Sequence, residues 1–165
     1  MAFYKNVLMA LDFRTDNEAL IEKAKAVVAA NDAKLYVVHV QEPLSVAYAA
    51  DAFAFNEQIA SLHSAIRKEA QERLVEIAKT LDLGEEQIIL GEGKASDEIH
   101  RIQKEKDIDL IVMGTHGQKG VQLLLGSTAN SVLHGVSCDV LTVRRGPLPH
   151  RRLADAAPLP RQRLG

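Results

Sequence analysis

The sequence predicts a single α/β domain: an open, parallel, five-stranded sheet with helices on both faces. Three observations carry that reading. Strand-like and helix-like segments alternate along the chain. The strand-like segments are continuous apolar runs rather than alternating ones, as in strands buried on both faces. And 165 residues suit one domain with one core, with no internal repeat to divide it.

The elements follow in order. "YKNVLMALDF" (4–13) is an apolar run reaching Asp12, the first strand. Thr15, Asp16, Asn17 and Glu18 read as a capping box, the Thr15 hydroxyl and Glu18 carboxylate satisfying reciprocal backbone donors. Leu20, Ala24, Val27 and Val28 then recur at helical spacing, and Asn31 and Asp32 close that helix. "KLYVVHV" (34–40) is the second strand. A connection through 41–51 leads to a long helix, in which Phe55, Ile59, Leu62, Ile66, Ala70, Leu74, Ile77 and Leu81 form one apolar stripe. Gly84 is expected to end it. "QIILGEG" (87–93) is the third strand, and 96–106 a short amphipathic helix around Ile99 and Ile102. "DLIVMG" (109–114) is the fourth strand, "TANSVLHG" (128–135) a helix closing at Gly135, and "DVLTVR" (139–144) the fifth strand.

Composition excludes several function classes. The apolar fraction of 47% and charged fraction of 25% are those of an ordinary globular domain. No apolar run approaches the roughly 20 residues of a membrane span, and the N-terminus reads as a strand rather than a signal peptide. A single cysteine, Cys138, forms no internal disulfide, which suits a cytoplasmic protein. It reads as a small buried hydrophobe beside a strand. From Arg144 onward the chain holds six arginines, one acid (Asp155) and four of the five prolines, so this end carries +5 against −7 for the rest. The domain is therefore assigned to 1–145 and a flexible Pro/Arg-rich tail to 146–165. An acidic body argues against nucleic acid as a partner, and nothing points to a membrane.

Open parallel sheets bind ligands beyond the carboxyl ends of their strands. Here those ends are Asp12, Val40 onward, 91–93 and 114–127. "GEGKAS" (91–96) imitates a dinucleotide fingerprint, but Ser96 replaces the third glycine and the motif follows the third strand, so it reads as a tight turn. The stretch after the fourth strand differs. Gly114 and Gly117 remove side chains where a ligand would approach. Gly126, Ser127 and Thr128 open a helix whose N–H groups and dipole favour an anion. Capping alone explains Ser127 but not the two earlier glycines; phosphate binding and a plain turn both stay open on these residues. Lys119 is either a phosphate partner or solvated, and Asp16 a metal ligand or, better, a capping residue. His39 reads as a structural histidine in a strand. With His63, His100, His134 and His150 it offers no metal spacing.

These residues resemble the universal stress protein family. Its pattern after the fourth strand, G-x2-G-x9-G-[ST], is matched by Gly114, Gly117, Gly126 and Ser127, with eight residues rather than nine between Gly117 and Gly126. The likeness runs from about residue 3 to 145, through "NVLMALDF", "VVHV", "DLIVMGTHG" and "CDVLTVR". The resemblance implies the strand order 3-2-1-4-5. It also implies a nucleotide site: Ala10, Leu11 and Asp12 at the first strand's end, with Asp12 at the ribose or adenine. Val40 would line the adenine site and Met113 precede the loop. Gly114, Gly117, Gly126, Ser127 and Thr128 would surround the phosphates, and His116, inside that stretch, is either a phosphate contact or an exposed loop residue. The implied ligand is ATP or AMP, with Mg or Mn beside a triphosphate. The glycines match the nucleotide-binding branch, not the branch typified by universal stress protein A, which lacks them and is not expected to bind ATP.

The implied role is a cytoplasmic stress-response regulator. No serine, cysteine or threonine has an evident base partner and no carboxylate pair declares itself, so binding is expected over catalysis, with slow ATP hydrolysis as the most chemistry implied. A dimeric interaction protein without nucleotide is the alternative. In the family order the fifth strand lies at the sheet's edge, apolar and unblunted by proline or inward charge, so a homodimer through 139–144 is expected.

Overall fold

The computed structural model describes residues 2–43, 52–115 and 126–144, with 52–56 described as backbone only. The strands are β1 (Asn6–Leu11), β2 (Lys34–Gln41), β3 (Ile88–Glu92), β4 (Leu110–Gly114) and β5 (Asp139–Val143). The helices are α1 (Glu18–Asn31), α2 (Ala52–Thr80), α3 (Ala95–Glu105) and α4 (Ser127–Leu133). All five strands run parallel in the order β3-β2-β1-β4-β5, so both the expected class and the expected order hold. At the centre, Met9 lies opposite Val37 on one side and Val112 on the other.

Alternation along each strand divides the core into two layers. Val7, Met9, Leu11, Leu35 and Val37 pack against Leu20 and Ala24 of α1 and Leu74 of α2. Leu8, Tyr36, Val38, Ile111 and Met113 pack against Ile99 and Ile102 of α3 and Ala129 and Val132 of α4. Val7, Leu8 and Met9 are 0% exposed, which explains why β1 reads as an unbroken apolar run.

Two local expectations are corrected. The capping box does not form. The Thr15 hydroxyl donates instead to the Asp12 carbonyl at 2.9 Å, and Asp16 Oδ1 accepts the Glu18 N–H at 2.9 Å. Asn17 precedes the helix without a side-chain cap. Its amide nitrogen instead donates to the carbonyls of Asp12 and Thr15 at 2.9 and 3.0 Å. Short polar side chains that can reach nearby backbone compete with capping geometry, and here the loop wins.

The second correction is the end of the long helix, which stops at Thr80 and not at Gly84. Asp82 turns left-handed at φ 54, and the Leu83 N–H returns to the Ala78 carbonyl at 2.9 Å. Gly84 then opens a 3-10 turn over Glu85–Gln87. Asp32 and Asp107 follow α1 and α3 with φ of 52 and 49, a conformation that aspartate tolerates better than most residues. The stripe on α2 is buried at Ala70 and Leu74, whereas Leu62 is 53% exposed. Among the described residues no helix is long and apolar enough to cross a membrane. The tail, 146–165, lies outside the described residues.

Candidate functional site

The carboxyl ends of β1, β2 and β4, the flank of α2 and the start of α4 enclose a cleft of about 690 Å³. At the tip of β1, Asp12 is held from several sides. Asn17 Oδ1 accepts its N–H at 3.3 Å. Its carboxylate receives the Arg14 N–H at 3.0 Å and the Arg14 guanidinium at 3.0 and 3.3 Å. The hydrogen bond to Asp12 raises the Arg14 pKa. The Asp12 side chain is 24% exposed and that of Arg14 60%, so this pair sits on the rim, screened by water.

At the tip of β2, His39 Nδ1 lies 3.0 Å from the Leu11 carbonyl. A carbonyl only accepts, so Nδ1 carries the proton and Nε2 of the neutral ring is left with a lone pair. Burial holds the His39 pKa below its ordinary value. The imidazole stacks on Phe13 at 4.2 Å. The Arg73 guanidinium lies over the same phenyl ring at 4.3 Å and donates to the Phe13 carbonyl at 3.1 Å. Arg73 thus fastens α2 to the loop after β1, through a cation–π contact and a hydrogen bond. Two residues past His39, Gln41 is 5% exposed. Its Oε1 is buried and has no hydrogen-bond partner among the described residues.

At the tip of β4, Met113 is buried and Gly114 pairs in register with Val143. The Thr115 N–H donates to the Val143 carbonyl at 3.1 Å, and the Gly126 N–H to the Thr115 carbonyl at 2.6 Å. The start of α4 is thereby tied to the end of β4. Gly126 is extended, at φ −57 and ψ 153, and no side chain caps the helix. Beyond β3, Gly93 adopts φ 113 and its N–H donates to the Gln41 carbonyl at 3.0 Å. That geometry bears out the tight turn expected for "GEGKAS".

Nine expected site residues, Ala10, Leu11, Asp12, Val40, Met113, Gly114, Gly126, Ser127 and Thr128, line this one cleft; His116 and Gly117 lie outside the described residues. Sequence reasoning did not name Phe13, Arg14, His39 or Gln41 beside the strand tips, nor Glu69 and Arg73 of α2, which also line the cleft. A signal existed for two of these, since His39 and Gln41 are polar residues two apart at the end of an apolar run. None existed for Glu69 and Arg73, which sit in a helix of ordinary charge pattern.

Elsewhere, no group of three or more His, Cys, Asp or Glu side chains converges to hold a metal among the described residues. Cys138 is half-buried, and burial pushes its thiol up to about 11, with Asp139 and Asp109 adding to the effect.

Residues 3–144 match the universal stress protein family. Universal stress protein A homolog 2 of Coxiella burnetii (strain RSA 493 / Nine Mile phase I) is 42% identical over 142 residues, covering 86% of this chain and 95% of its own. A hypothetical protein solved as a structural-genomics test case for assigning biochemical function superposes with a TM-score of 0.70 at 24% identity, over 88% of this chain and 99% of that one. A universal stress protein solved in complex with cAMP is 25% identical with a TM-score of 0.52, over 87% of this chain and 98% of that one.

Proposed function

The chain belongs to the universal stress protein family, and on that premise we propose that it binds an adenine nucleotide, ATP or AMP, in the cleft at the tips of β1, β2 and β4. In this reading it is a cytoplasmic regulatory module rather than an enzyme. The observation that carries it is convergence: nine residues picked from the sequence for nucleotide contacts line a single cleft, of the size that ordinarily holds a small ligand. The cAMP complex of a family member supports nucleotide as the ligand class. The lining sets Arg14 and Arg73 against three carboxylates, Asp12, Glu42 and Glu69, so bound phosphates would call for an accompanying cation. A triphosphate would bring Mg or Mn, for which Asp12, Glu42 and Glu69 are the carboxylates lining the cleft; phosphates and water would supply the remaining ligands.

The test is direct. Mass spectrometry of nucleotide released from denatured, purified protein should find ATP or AMP, and calorimetry should show binding of added ATP. No released nucleotide together with no heat at millimolar ATP would sink the reading. Conversion of added ATP to ADP, abolished in Asp12→Ala, would instead make the protein a slow ATPase.

A second reading has two observations behind it: a dimeric interaction protein without nucleotide. Its 42% identical relative is named a homolog of universal stress protein A, and the segment between Gly117 and Gly126 is one residue shorter than the family pattern. Either reading accommodates a homodimer. β5 is an edge strand with Val140, Leu141 and Thr142 half-buried, and a second copy can pair with it about a twofold axis. Leu141→Pro or Val143→Pro should then yield monomers. A wild-type protein that sediments as a monomer at tens of micromolar would overturn the dimer.

A further inference from the structure

A second groove lies beside the cleft, between the start of α1 and the flank of α2. It holds about 390 Å³ and shares two wall residues with the cleft, Phe13 and Arg73. Its floor is apolar: Phe13, Ile21 and Ile77 sit half-buried at the margin of the core. Its α1 rim is acidic, with Asp16, Glu18 and Glu22 all exposed. The nearby cations are already engaged, Arg73 over Phe13 and Lys25 with Glu22 at 3.1 Å. Asp16 and Glu18 have no ion-pair partner among the described residues. An apolar floor under an acidic rim fits a segment that carries arginines next to an apolar side chain.

We propose that this groove is the docking site of the chain's own tail, with Arg151 and Arg152 against the α1 carboxylates and Leu153 on the apolar floor. Position, reach and charge support that occupant. All five strands are parallel, so β5 ends on the same side of the sheet as the loop after β1 and the start of α1. β5 lies two strands from β1, about 10 Å at ordinary strand spacing. Residues 144–150 can span about 23 Å when extended, enough to cross that distance and climb onto the helix layer. From Arg144 onward the chain carries +5 against −7 for the rest, and arginine pairs well with carboxylates. Exposed ion pairs are individually weak. A short tether, however, keeps the tail near the groove at an effective concentration on the order of millimolar. A contact too weak to hold a free peptide therefore suffices within the chain. The proposal does not depend on what the neighbouring cleft binds.

Proteolysis of the full chain tests this, because cleavage of a docked segment follows the fraction that is undocked. At low salt, trypsin should cut the Arg152–Leu153 bond about tenfold more slowly in wild type than in Glu18→Lys/Glu22→Lys. High salt should remove that difference by screening the ion pairs. The methyl resonances of Ile21 and Ile77 should also shift between wild type and Arg151→Glu/Arg152→Glu. Those of Ile99 and Ile102, in the opposite core layer, should stay in place and report an intact fold. Equal cleavage rates, or unmoved Ile21 and Ile77 methyls, would overturn the proposal and leave the groove to another molecule. Protection that disappears on dilution would overturn it too, by assigning the contact to the tail of a second copy.

Discussion

The two ends of the sheet are finished in opposite ways. At the amino ends the chain closes itself. The Asp109 carboxylate accepts the N–H groups of Lys5 and Asn6 at 2.7 and 3.1 Å, and the Asn6 side chain donates to the Asp107 carbonyl at 3.2 Å. Asn31 Oδ1 takes the N–H groups of Phe3 and Tyr4, and the Tyr4 hydroxyl donates to Asp139 at 3.0 Å. At the carboxyl ends stand the buried Gln41 Oε1, without a hydrogen-bond partner among the described residues, an ion pair on the rim, and Gly114 and Gly126 on either side of the 116–125 segment. Parallel strands leave unfinished backbone groups at both ends of a sheet. This chain braces the amino ends with side chains such as Asp109 and Asn31, and at the carboxyl ends it ties the backbone through Asn17, His39 and Arg73 around the cleft. Stability and recognition are therefore separable, and each can be disturbed alone.

The separation can be broken or sharpened in four ways, here from the largest expected effect to the smallest. Cys138 sits at the closed end, with its thiol pushed up to about 11. At pH 8 iodoacetamide should modify it about a hundredfold more slowly than a free cysteine thiol; labelling at the free-thiol rate would show that this end opens. Asp109→Ala removes both charge-assisted backbone bonds and should cost about 2 to 3 kcal/mol of unfolding free energy in urea. Its affinity for ATP should stay within about twofold, since the site is distant; a tenfold loss would mean that the ends are coupled.

Gly126→Val should do the reverse, weakening ATP binding by at least about 1.4 kcal/mol, a tenfold change, while the urea midpoint holds. Gly117→Val should behave alike. Unchanged affinity in either folded variant would remove that position from the site. The smallest effect is a pH dependence at the open end. Burial depresses the His39 pKa in the folded state, so the unfolded chain takes up the proton first as pH falls through about 6.5. The contribution of neutral His39 to stability is thus complete above that value and lost as pH falls toward the folded pKa. Melting temperatures between pH 7.5 and pH 5 should fall more steeply, by about a few degrees, in wild type than in His39→Gln. Parallel curves would contradict this.

Much of the fold was legible because burial on both faces leaves an unambiguous mark: "VLMAL" and "LIVM" have no polar side to show. Which strand pairs with which leaves no such mark in one sequence, and the order came from family resemblance. The capping box was misread because Thr15 has two backbone groups within reach and local spacing does not say which it takes. The end of α2 was misread because Gly84 is the usual stop signal, while the actual reversal uses left-handed Asp82. At the site, the strand tips were legible from the logic of open sheets. Arg73 was not, since its role depends on Phe13, 60 residues away.

The strand order also bears on how the protein is made. Of the five strands of this sheet β1 leaves the ribosome first, yet it lies at the centre, between β2 and β4. Once β3 is out, β1, β2 and β3 can form a contiguous three-stranded sheet. The far side of β1, with Val7, Leu8 and Met9, then stays unpaired until β4 emerges. At translation speeds of about 5 to 20 residues per second, the stretch from Glu92 to Gly114 leaves that edge open for on the order of 1 to 4 s. An apolar strand held open that long is an invitation to chaperones and to neighbouring nascent chains, so the newborn protein is most vulnerable at the strand that becomes its best-protected part.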